Sequence, residues 1–365
     1  MIPPVATCPL PRRNRFEVMN LKELAAKLGL SPTTVSRALN GYPEVNEATR
    51  ERVIAVARRH NYRPNARAIR LATGRALAVG HVIPLNVQTE MMNPIFADFI
   101  TGAGETYMRN GYDMILSVVP DEAEESAYRD LMSRGTVDGV IVQAVRFNDP
   151  RLRVLKEMGL PFVVHGRSTG AEVDYNWVDV NNRRAFLRAT EFLLDLGHRR
   201  IALVNGNETM DFALRRRAGY SDALTARGLS VDPDLTYPAH EMTEVNGWRA
   251  AEAGLSLPQP ATAFLCASML QGMGVRRAIE ARGLKMGRDV SVIVFDDDLS
   301  YLRNGDDLPI FTATRSSVRE AGRLAAEMLL TVINQPGLAP QHKLLEAELI
   351  LGQSTGPAPS ATPKG

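Results

Sequence analysis

The sequence predicts an α/β protein in which a small helix-turn-helix head precedes two doubly wound parallel-sheet subdomains. Three observations support this fold class: basic residues concentrate near the N-terminus, short amphipathic helical patterns occupy the same stretch, and apolar strand patterns then alternate with helical ones over the rest of the chain. A chain of 365 residues is long enough for two or three domains that each bury a core.

The overall charge is near neutral, but it is unevenly distributed. The whole chain carries +2, whereas residues 19–75 carry +7, residues 1–18 carry +2 and residues 76–365 carry −7. A basic head joined to an acidic body is typical of a small nucleic-acid-binding module attached to a domain with another task.

Three short helices are predicted in this head. The first has apolar residues at positions i, i+3, i+4 and i+7 and ends at Gly29. The second has Ser31 as its N-cap and Pro32 in its first turn, where the missing N–H costs nothing. The third begins after the N-cap Asn46. Two helices joined by a tight turn, with a third that buries their shared face, form a helix-turn-helix.

The body alternates short apolar runs with amphipathic stretches. The predicted strands are residues 77–83, 112–119, 139–145, 161–165, 200–205, 262–267 and 290–295, and the clearest helical patterns are residues 122–134, 183–196 and 274–282. Near-continuous Val, Ile and Leu in the strands favours parallel sheets covered on both faces. Because the alternation is too long for one doubly wound unit, two subdomains are expected, with ligands at the carboxyl ends of the strands.

Composition excludes several classes of protein. With 45% hydrophobic residues the chain is neither disordered nor collagen-like. Cys8 and Cys266 are too few and too distant for a disulfide framework or a thiolate metal site, which fits a reducing compartment. Since no apolar run approaches the roughly 18 residues of a membrane span, and residues 1–18 lack the apolar core of a secretory signal, a cytoplasmic protein is expected.

Several segments follow one family pattern. In the head these are residues 24–31 (LAAKLGLS), 34–40 (TVSRALN), 49–53 (TRERV) and 62–66 (YRPNA), and in the body 137–141 (VDGVI), 196–202 (LGHRRIA), 216–220 (RRAGY) and 295–297 (FDD). They resemble the LacI/GalR family of bacterial transcription regulators over about residues 19–355. The resemblance implies a body of periplasmic-binding-protein type and a homodimer that binds double-stranded operator DNA.

The resemblance also implies a division of the chain. Residues 1–18 are expected to be a disordered extension, 19–63 the DNA-binding domain, 64–75 a hinge helix and linker, and 356–365 a disordered tail. Residues 76–355 form the effector-binding and dimerisation domain. Within it, the N-subdomain is expected at about 76–165 and 315–342, and the C-subdomain at about 166–314 and 343–355.

The second helix of the head is the predicted reading helix. Its outward positions are Thr33, Ser36 and Arg37, and an arginine there can bind a guanine bidentately, although a solvated surface arginine is the alternative. By resemblance, Pro32 and Thr33 choose the operator, while Thr34 and Ser36 touch phosphate.

Four further residues complete the predicted DNA contacts, namely Asn40, Arg67, Ala68 and Leu71. By resemblance, Leu71 is the leucine that the hinge helix wedges into the minor groove, and Ala68 lies where the two hinge helices of a dimer meet. An ordinary packing role for Leu71 is the alternative. Because a segment this short does not hold a helix alone in water, an effector that moves the subdomains can switch DNA affinity through the hinge.

The predicted effector site suits a small sugar, which needs planar donors, carboxylates and aromatic faces. The predicted effector-binding residues are Phe96, Arg167, Trp177, Arg216, Ser268 and Asp296. Arg216 and Asp296 are carried over from the family's effector arginine and aspartate, and an ion pair is the alternative for Arg216. A role as simple loop acids is the alternative for Asp297 and Asp298, and it is the preferred interpretation for Asp298.

The chain departs from the family pattern at three places. Ser268-Met269 stands where many members have Asn-Asp, Asn181-Asn182 replaces Asp-Asn, and Gly352-Gln353 replaces an arginine near the C-terminal strand. The set of His165, Gly166 and Arg167 with Ser268 and Met269 resembles the α-glucoside-regulator branch.

The function predicted from these residues is a sequence-specific repressor whose operator affinity a sugar switches, with an α-glucoside as the candidate effector. A sugar-binding protein or a sugar-responsive activator of the same fold is the alternative. An enzyme is not expected, because the six histidines form no catalytic signature and Asp296-Asp297-Asp298 has no partner cluster for a metal ion. No cofactor and no metal are expected.

Overall fold

The computed structural model describes residues 19–39, 41–60, 62, 74–84, 94–120 and 123–359. The predicted extension 1–18, most of the hinge and residues 360–365 lie outside this part of the chain. The predicted DNA contacts Asn40, Arg67, Ala68 and Leu71 lie outside it as well. The chain divides into two compact units, and the boundary between them along the sequence falls between Ala76 and Leu77.

The first unit contains helices α1 (Leu21–Leu28), α2 (Pro32–Leu39) and α3 (Glu47–Arg59). The predicted caps are confirmed, because Ser31 Oγ accepts the N–H of Thr34 at 3.0 Å and Asn46 Oδ1 accepts the N–H of Thr49 at 2.8 Å. A small apolar core that includes Leu24, Val35 and Val53 joins the three helices. The predicted helix-turn-helix is therefore confirmed.

The second unit contains two six-stranded sheets. Its strands are β1 (Ala78–Pro84), β2 (Asp113–Val119), β3 (Gly139–Val142), β4 (Phe162–His165), β5 (Asn176–Val180), β6 (Ile201–Asn205), β7 (Thr236–Pro238), β8 (Ala263–Cys266), β9 (Ser291–Asp296), β10 (Thr312–Arg315), β11 (His342–Leu345) and β12 (Glu348–Ile350). The orders are β11-β5-β4-β3-β1-β2 and β12-β10-β9-β8-β6-β7. Neighbouring strands run parallel except for β12, which is antiparallel to β10.

Helices cover both faces of each sheet. They are α4 (Pro94–Arg109), α5 (Glu124–Ser133), α6 (Pro150–Met158), α7 (Asn182–Asp195), α8 (Asp211–Ala226), α9 (Glu244–Leu255), α10 (Met269–Ala281) and α11 (Val318–Asn334). On the first sheet, α4 and α11 share one core and α5 and α6 the other. On the second, α7 and α8 cover one face and α9 and α10 the other. Two doubly wound subdomains are therefore confirmed.

The seven predicted strands are all present, with ends that differ by at most three residues. The sequence did not predict β5, β7, β10, β11 and β12, which occupy outer positions of the two sheets. Strands β5, β7, β11 and β12 are only partly buried, so they tolerate polar residues such as Asn176 and lose the continuous apolar pattern of a central strand. Strand β10 is mostly buried, but threonine occupies two of its four positions, so it has no continuous apolar run.

The predicted boundary between the subdomains is wrong in two places. Strand β5 was expected in the C-subdomain, but Trp177 pairs with Val164 of β4 in the first sheet. The strand β11 also belongs to that sheet, because it pairs with β5. A loop joins β4 to β5, so no helix marked this connection in the sequence. The chain crosses between subdomains after β5, after β10 and after β11.

The start of the predicted disordered tail is part of the fold. Gly356 accepts hydrogen bonds from His198 Nε2 and Ser291 Oγ at 3.1 Å, and the N–H of Ala358 donates to Leu196 O at 2.8 Å. The prediction of disorder is therefore wrong for residues 356–359, because buried polar side chains of the body bind their backbone. Across the described residues, no helix combines the length and the apolar character needed to cross a bilayer.

Candidate functional site

A cavity of about 180 Å³ lies between the two subdomains, and we call it the inner chamber. Its wall combines residues at the carboxyl ends of β3, β4, β5 and β9 with residues of α4, α7 and α8. Parallel strands leave their carboxyl ends at one edge of a sheet, so loops from both sheets meet here. A second cavity of about 470 Å³, the outer chamber, adjoins it.

Arg216 of α8 is buried in the wall of the inner chamber. Its Nε donates to Asn182 Oδ1 at 2.8 Å, and its Nη1 donates to the carbonyl of Ala267 at 2.6 Å. The guanidinium lies 4.0 Å from the centre of the Phe295 ring. Burial lowers the pKa of Arg216 to about 10, and the nearby Asp297 opposes that shift. These hydrogen bonds go to neutral groups, so they are not the structural ion pair considered as an alternative.

The carboxylate in the chamber is that of Asp297, whereas Asp296 was predicted. Asp296 borders a separate cavity behind β9, where its Oδ1 accepts the N–H of Asp298 at 2.9 Å. Successive residues of an extended strand point to opposite faces, so Asp297 follows Phe295 toward Arg216 and Asp296 faces away. The structure thus decides against the alternative that Asp297 is a simple loop acid. Burial raises the pKa of Asp297 to about 7, although Arg216 opposes the shift.

Part of the aromatic surface of the inner chamber comes from α4 and β4. Phe96, which was predicted, lines it together with Phe99 and His165. The rings of Phe99 and His165 stack with their centres 4.4 Å apart. Burial lowers the pKa of His165 to about 4, so its imidazole is neutral at physiological pH. The chamber wall therefore combines uncharged aromatic rings with charged side chains.

Arg167 lines the inner chamber, but Trp177 does not. Arg167 Nε donates to Asp179 Oδ2 at 2.7 Å, and its guanidinium lies 4.9 Å from the centre of the Trp177 ring. On the neighbouring strand, His342 stacks on Trp177 at 4.8 Å. The Trp177 ring packs on the face of the sheet that α5 and α6 cover, so it lies against Arg167 and outside the chamber wall.

Ser268 lies in the outer chamber and is absent from the wall of the inner one. It caps α10 by accepting the N–H of Gln271 at 3.2 Å, and its Oγ donates to Met242 O at 3.3 Å. A small capping residue thus leaves open the space at this helix terminus, where many family members carry a larger amide.

Sequence reasoning missed the turn that follows β3. Gln143 and Ala144 line the inner chamber, and within the described part of the chain the buried Nε2 of Gln143 has no hydrogen-bond partner. Arg151 holds this turn by donating to both of their carbonyl oxygens at 3.1 Å. It also binds Asp149 bidentately, at 3.0 and 2.7 Å, and Glu124 at 2.5 Å. The available signal was the position of Gln143 directly after a buried apolar strand.

Backbone and side-chain contacts join the subdomains on either side of the chamber. The N–H of Asp211, which begins α8, donates to Val145 O at 3.0 Å. On α4, the carboxylate of Asp98 accepts the N–H and the hydroxyl of Ser300, both at 2.7 Å. The two lobes therefore meet around the space where a ligand would lie.

The outward face of α2 carries the predicted reading residues. Pro32, Thr33 and Arg37 are exposed, while Thr34 and Ser36 are half-buried. Thr34 is held by Ser31, whose hydroxyl lies 2.8 Å from its own. The exposed side chains are therefore free of the head's core and are available to a groove of DNA.

Among the described side chains, no group of three or more His, Cys, Asp or Glu is arranged to hold a metal ion. A helix-turn-helix head joined to a two-lobed body with a cavity between the lobes defines a DNA-binding regulator with a ligand-sensing domain.

Comparisons with known proteins agree with this class. Residues 20–65 match the model of bacterial regulatory proteins of the lacI family, and residues 190–355 match a periplasmic binding protein-like domain. The chain is 45% identical to the HTH-type transcriptional regulator AglR of Rhizobium meliloti (strain 1021), over 94% of this chain and 96% of AglR. It is 35% identical to the HTH-type transcriptional regulator RafR of Escherichia coli, over 88% of this chain and 94% of RafR. The chain therefore belongs to the LacI family of transcriptional regulators.

Solved structures share the same fold. A complex of the transcriptional regulator CelR with cellobiose is 29% identical, with a TM-score of 0.68 over 92% of this chain and 99% of the other. The lac repressor dimer bound to operator and an anti-inducer has a TM-score of 0.79 over 93% of this chain and 100% of the other, at 23% identity. The relatives named here are transcriptional regulators and none is an enzyme.

Proposed function

We propose that this regulator is a homodimeric repressor that a small sugar, bound in the inner chamber, releases from its operator. The single observation that carries the proposal is the chamber itself, where Arg216, Asp297 and Arg167 face an aromatic surface. Guanidinium and carboxylate groups bind sugar hydroxyls in fixed directions, and aromatic rings cover the apolar face of the pyranose. That the related CelR was solved with cellobiose supports a sugar as the ligand class.

Each contacting residue has a distinct role in the proposed complex. Arg216 and Arg167 donate to hydroxyl oxygens, and Asp297 accepts a hydroxyl hydrogen. Gln143 supplies an amide N–H that has no partner among the described residues. Phe96 covers a ring face, because it lines the same chamber.

The proposed effector is an α-glucoside. The combination of His165, Gly166 and Arg167 with Ser268 and Met269 resembles the α-glucoside-regulator branch of the family. Of these residues, His165, Gly166 and Arg167 line the inner chamber, while Ser268 and Met269 line the outer one. An α-glucoside is therefore the first ligand to test.

The proposed DNA interface is the exposed face of α2. Pro32 and Thr33 choose the operator sequence, Thr34 and Ser36 bind phosphate, and Arg37 binds a guanine bidentately. A side chain of this kind contributes roughly 1–3 kcal/mol of discrimination between bases.

The remaining proposed DNA contacts belong to residues outside the described part of the chain. Asn40 and Arg67 touch the operator, Leu71 inserts into the minor groove, and Ala68 lies at the contact between paired hinge helices. Sugar binding between the lobes changes the separation of the paired hinges, so these helices form or melt. A coupling of about 1–3 kcal/mol between the two sites changes operator affinity roughly 5–150-fold.

The proposed dimer interface includes the open edge of the first sheet. Strand β2 is its outermost strand, and Leu116 and Val118 on it are 42% and 41% exposed. Met108 of α4 and Met132 of α5, on helices that pack beside β2, are 74% and 42% exposed. An open apolar edge favours pairing with another chain. Leu116→Lys should therefore shift the protein toward monomers in sedimentation equilibrium. The control Leu351→Lys changes a leucine that is 58% exposed and lies away from this edge, and it should leave the dimer intact.

The test of the whole proposal is operator binding measured by fluorescence anisotropy, with and without α-glucosides and other sugars. We expect a sugar to weaken operator binding by about 5–150-fold. Operator binding that is unchanged by every sugar would contradict induction by a sugar.

A further inference from the structure

The outer chamber is more than twice the size of the inner one, at about 470 Å³ against 180 Å³. The two chambers adjoin each other, because Ile95, Ala144, Phe212, Met242 and Asp297 line both of them. The outer chamber alone lies within the range of roughly 300–1,000 Å³ found for sites that enclose a small ligand. A single sugar ring in the inner chamber would leave this space unfilled.

We call the side chains that line both chambers the passage, and most of them are apolar. Phe212 begins the first turn of α8, and Met242 precedes α9, so both belong to the second subdomain. The guanidinium of Arg216 lies 5.0 Å from the centre of the Phe212 ring. Asp297 borders the same passage, so its carboxylate is in reach of a group in either chamber.

The outer chamber has the lining that a second sugar ring requires. Its polar lining includes Asn207 and Glu241, whose amide N–H and carboxylate are a donor and an acceptor for hydroxyls, together with Thr243 and Ser268, which cap helices. Apolar side chains, among them Leu270, supply the surface for the C–H face of a pyranose.

We propose that the effector contains at least two sugar units, with the first ring in the inner chamber and the second in the outer one. The glycosidic bond passes between Phe212 and Met242. This inference rests on the proposed sugar-binding function and specifies the size of its ligand. Phe212 and Met242 are then specificity-determining residues, because they set where the bond between the rings can lie.

The test compares ligands of one and two rings with the full-length protein. Isothermal titration calorimetry is run with the methyl glycosides of glucose and galactose in both anomeric forms, and with maltose, cellobiose, melibiose and lactose. We expect one disaccharide to bind at least about tenfold more tightly than every methyl glycoside, as one additional ring's hydrogen bonds would provide. A methyl glycoside that binds as tightly as every disaccharide overturns the inference and leaves the proposed function standing. Absence of binding by all of these sugars overturns both.

Two variants test where the second ring lies. Leu270→Trp fills the outer chamber, and Glu241→Gln removes one charged acceptor while keeping the shape of the side chain. We expect each to lower the ratio between disaccharide and methyl-glycoside affinity by about fivefold or more, since a lost charged hydrogen bond has that effect. The matched control Leu351→Trp makes the same change at an exposed leucine and should keep the ratio.

Operator binding in the absence of sugar verifies that each variant is folded. Because Glu241→Gln changes little volume, it remains informative where Leu270→Trp fails to fold. An unchanged ratio in folded Glu241→Gln and Leu270→Trp proteins overturns the inference.

Discussion

Substitution of Arg216 by alanine separates effector sensing from folding and from DNA binding. The guanidinium is buried at the wall of the inner chamber and makes two hydrogen bonds inside the protein, to Asn182 and to the carbonyl of Ala267. Alanine removes the charge, the two donors and the stacking on Phe295. We expect loss of the sugar response with operator affinity preserved.

The magnitudes follow from these contacts. Two buried acceptors left without a partner cost roughly 1–3 kcal/mol each. Alanine also removes the free-energy cost of keeping a buried guanidinium charged. Burial lowers the pKa of Arg216 from 12.5 to about 10, and at about 1.36 kcal/mol per pKa unit the removal of this cost offsets about 3 kcal/mol of the loss. The net loss of roughly 0–3 kcal/mol leaves a folded protein, because domains have about 5–15 kcal/mol of stability.

The effect on the ligand is larger. A sugar loses two charge-assisted hydrogen bonds, each contributing roughly 1.5–3 kcal/mol, so its dissociation constant should rise at least about 100-fold. The free energy of unfolding is measured by urea denaturation, sugar affinity by calorimetry, and operator affinity by fluorescence anisotropy. Arg217→Ala is the matched control, since Arg217 is the next residue of α8, is exposed and pairs with Glu208 at 2.5 Å.

Two results would refute this reasoning. Retention of sugar affinity within about threefold in Arg216→Ala would remove the arginine from the binding site, since even one lost charge-assisted hydrogen bond exceeds that factor. Loss of operator binding, together with loss of the cooperative unfolding transition in urea, would assign Arg216 a folding role.

Three further predictions concern other parts of the chain. Because burial raises the pKa of Asp297 to about 7 and a sugar hydroxyl donates to its carboxylate form, sugar affinity should rise between about pH 6 and 8 in calorimetry. Asp297→Asn should have a flat profile, and an equal slope in both proteins would contradict the assignment. Arg151→Met should lower the free energy of unfolding by about 3–5 kcal/mol in urea, because two buried carboxylates lose their cation. Arg153 is an exposed residue of the same helix, so Arg153→Met should lower the free energy of unfolding by under about 1 kcal/mol. Equal losses in the two variants would contradict the role of Arg151 in holding the turn after β3. Arg37→Ala should weaken operator binding by about 1–3 kcal/mol and relax base preference at one position, with sugar affinity unchanged; uniform weakening across operators would indicate a phosphate contact instead.

The central parts of the fold were predictable because their signals are local. The caps Ser31 and Asn46 each accept a hydrogen bond from the residue three positions further along, and they lie where the sequence predicts them. Six of the seven predicted strands lie between two neighbours and are almost wholly buried, so their apolar runs are nearly continuous, whereas β2 lies at an edge. The outer strands, such as Asn176–Val180, depend on a neighbour distant in sequence and gave no such signal.

The site was predictable in part. The structure places Phe96, Arg167 and Arg216 in the wall of the inner chamber, as the resemblance implied. Asp296 and Trp177 are not there, since their side chains point away from it. A motif that aligns three consecutive acids does not state which of them faces a cavity, because that depends on the direction of the strand at its end.

The sequence by itself determined the class of this protein. The basic head, the capped helices and the alternating strands each depend on residues that are a few positions apart in the sequence. Together they define a DNA-binding module on a two-lobed sensor. Only the tertiary structure decided that Asp297 faces Arg216, that Arg151 holds the turn at Gln143, and that a second chamber adjoins the first. Local periodicity specifies which elements form, whereas the groups that meet in a cleft come from chain segments that only packing brings together.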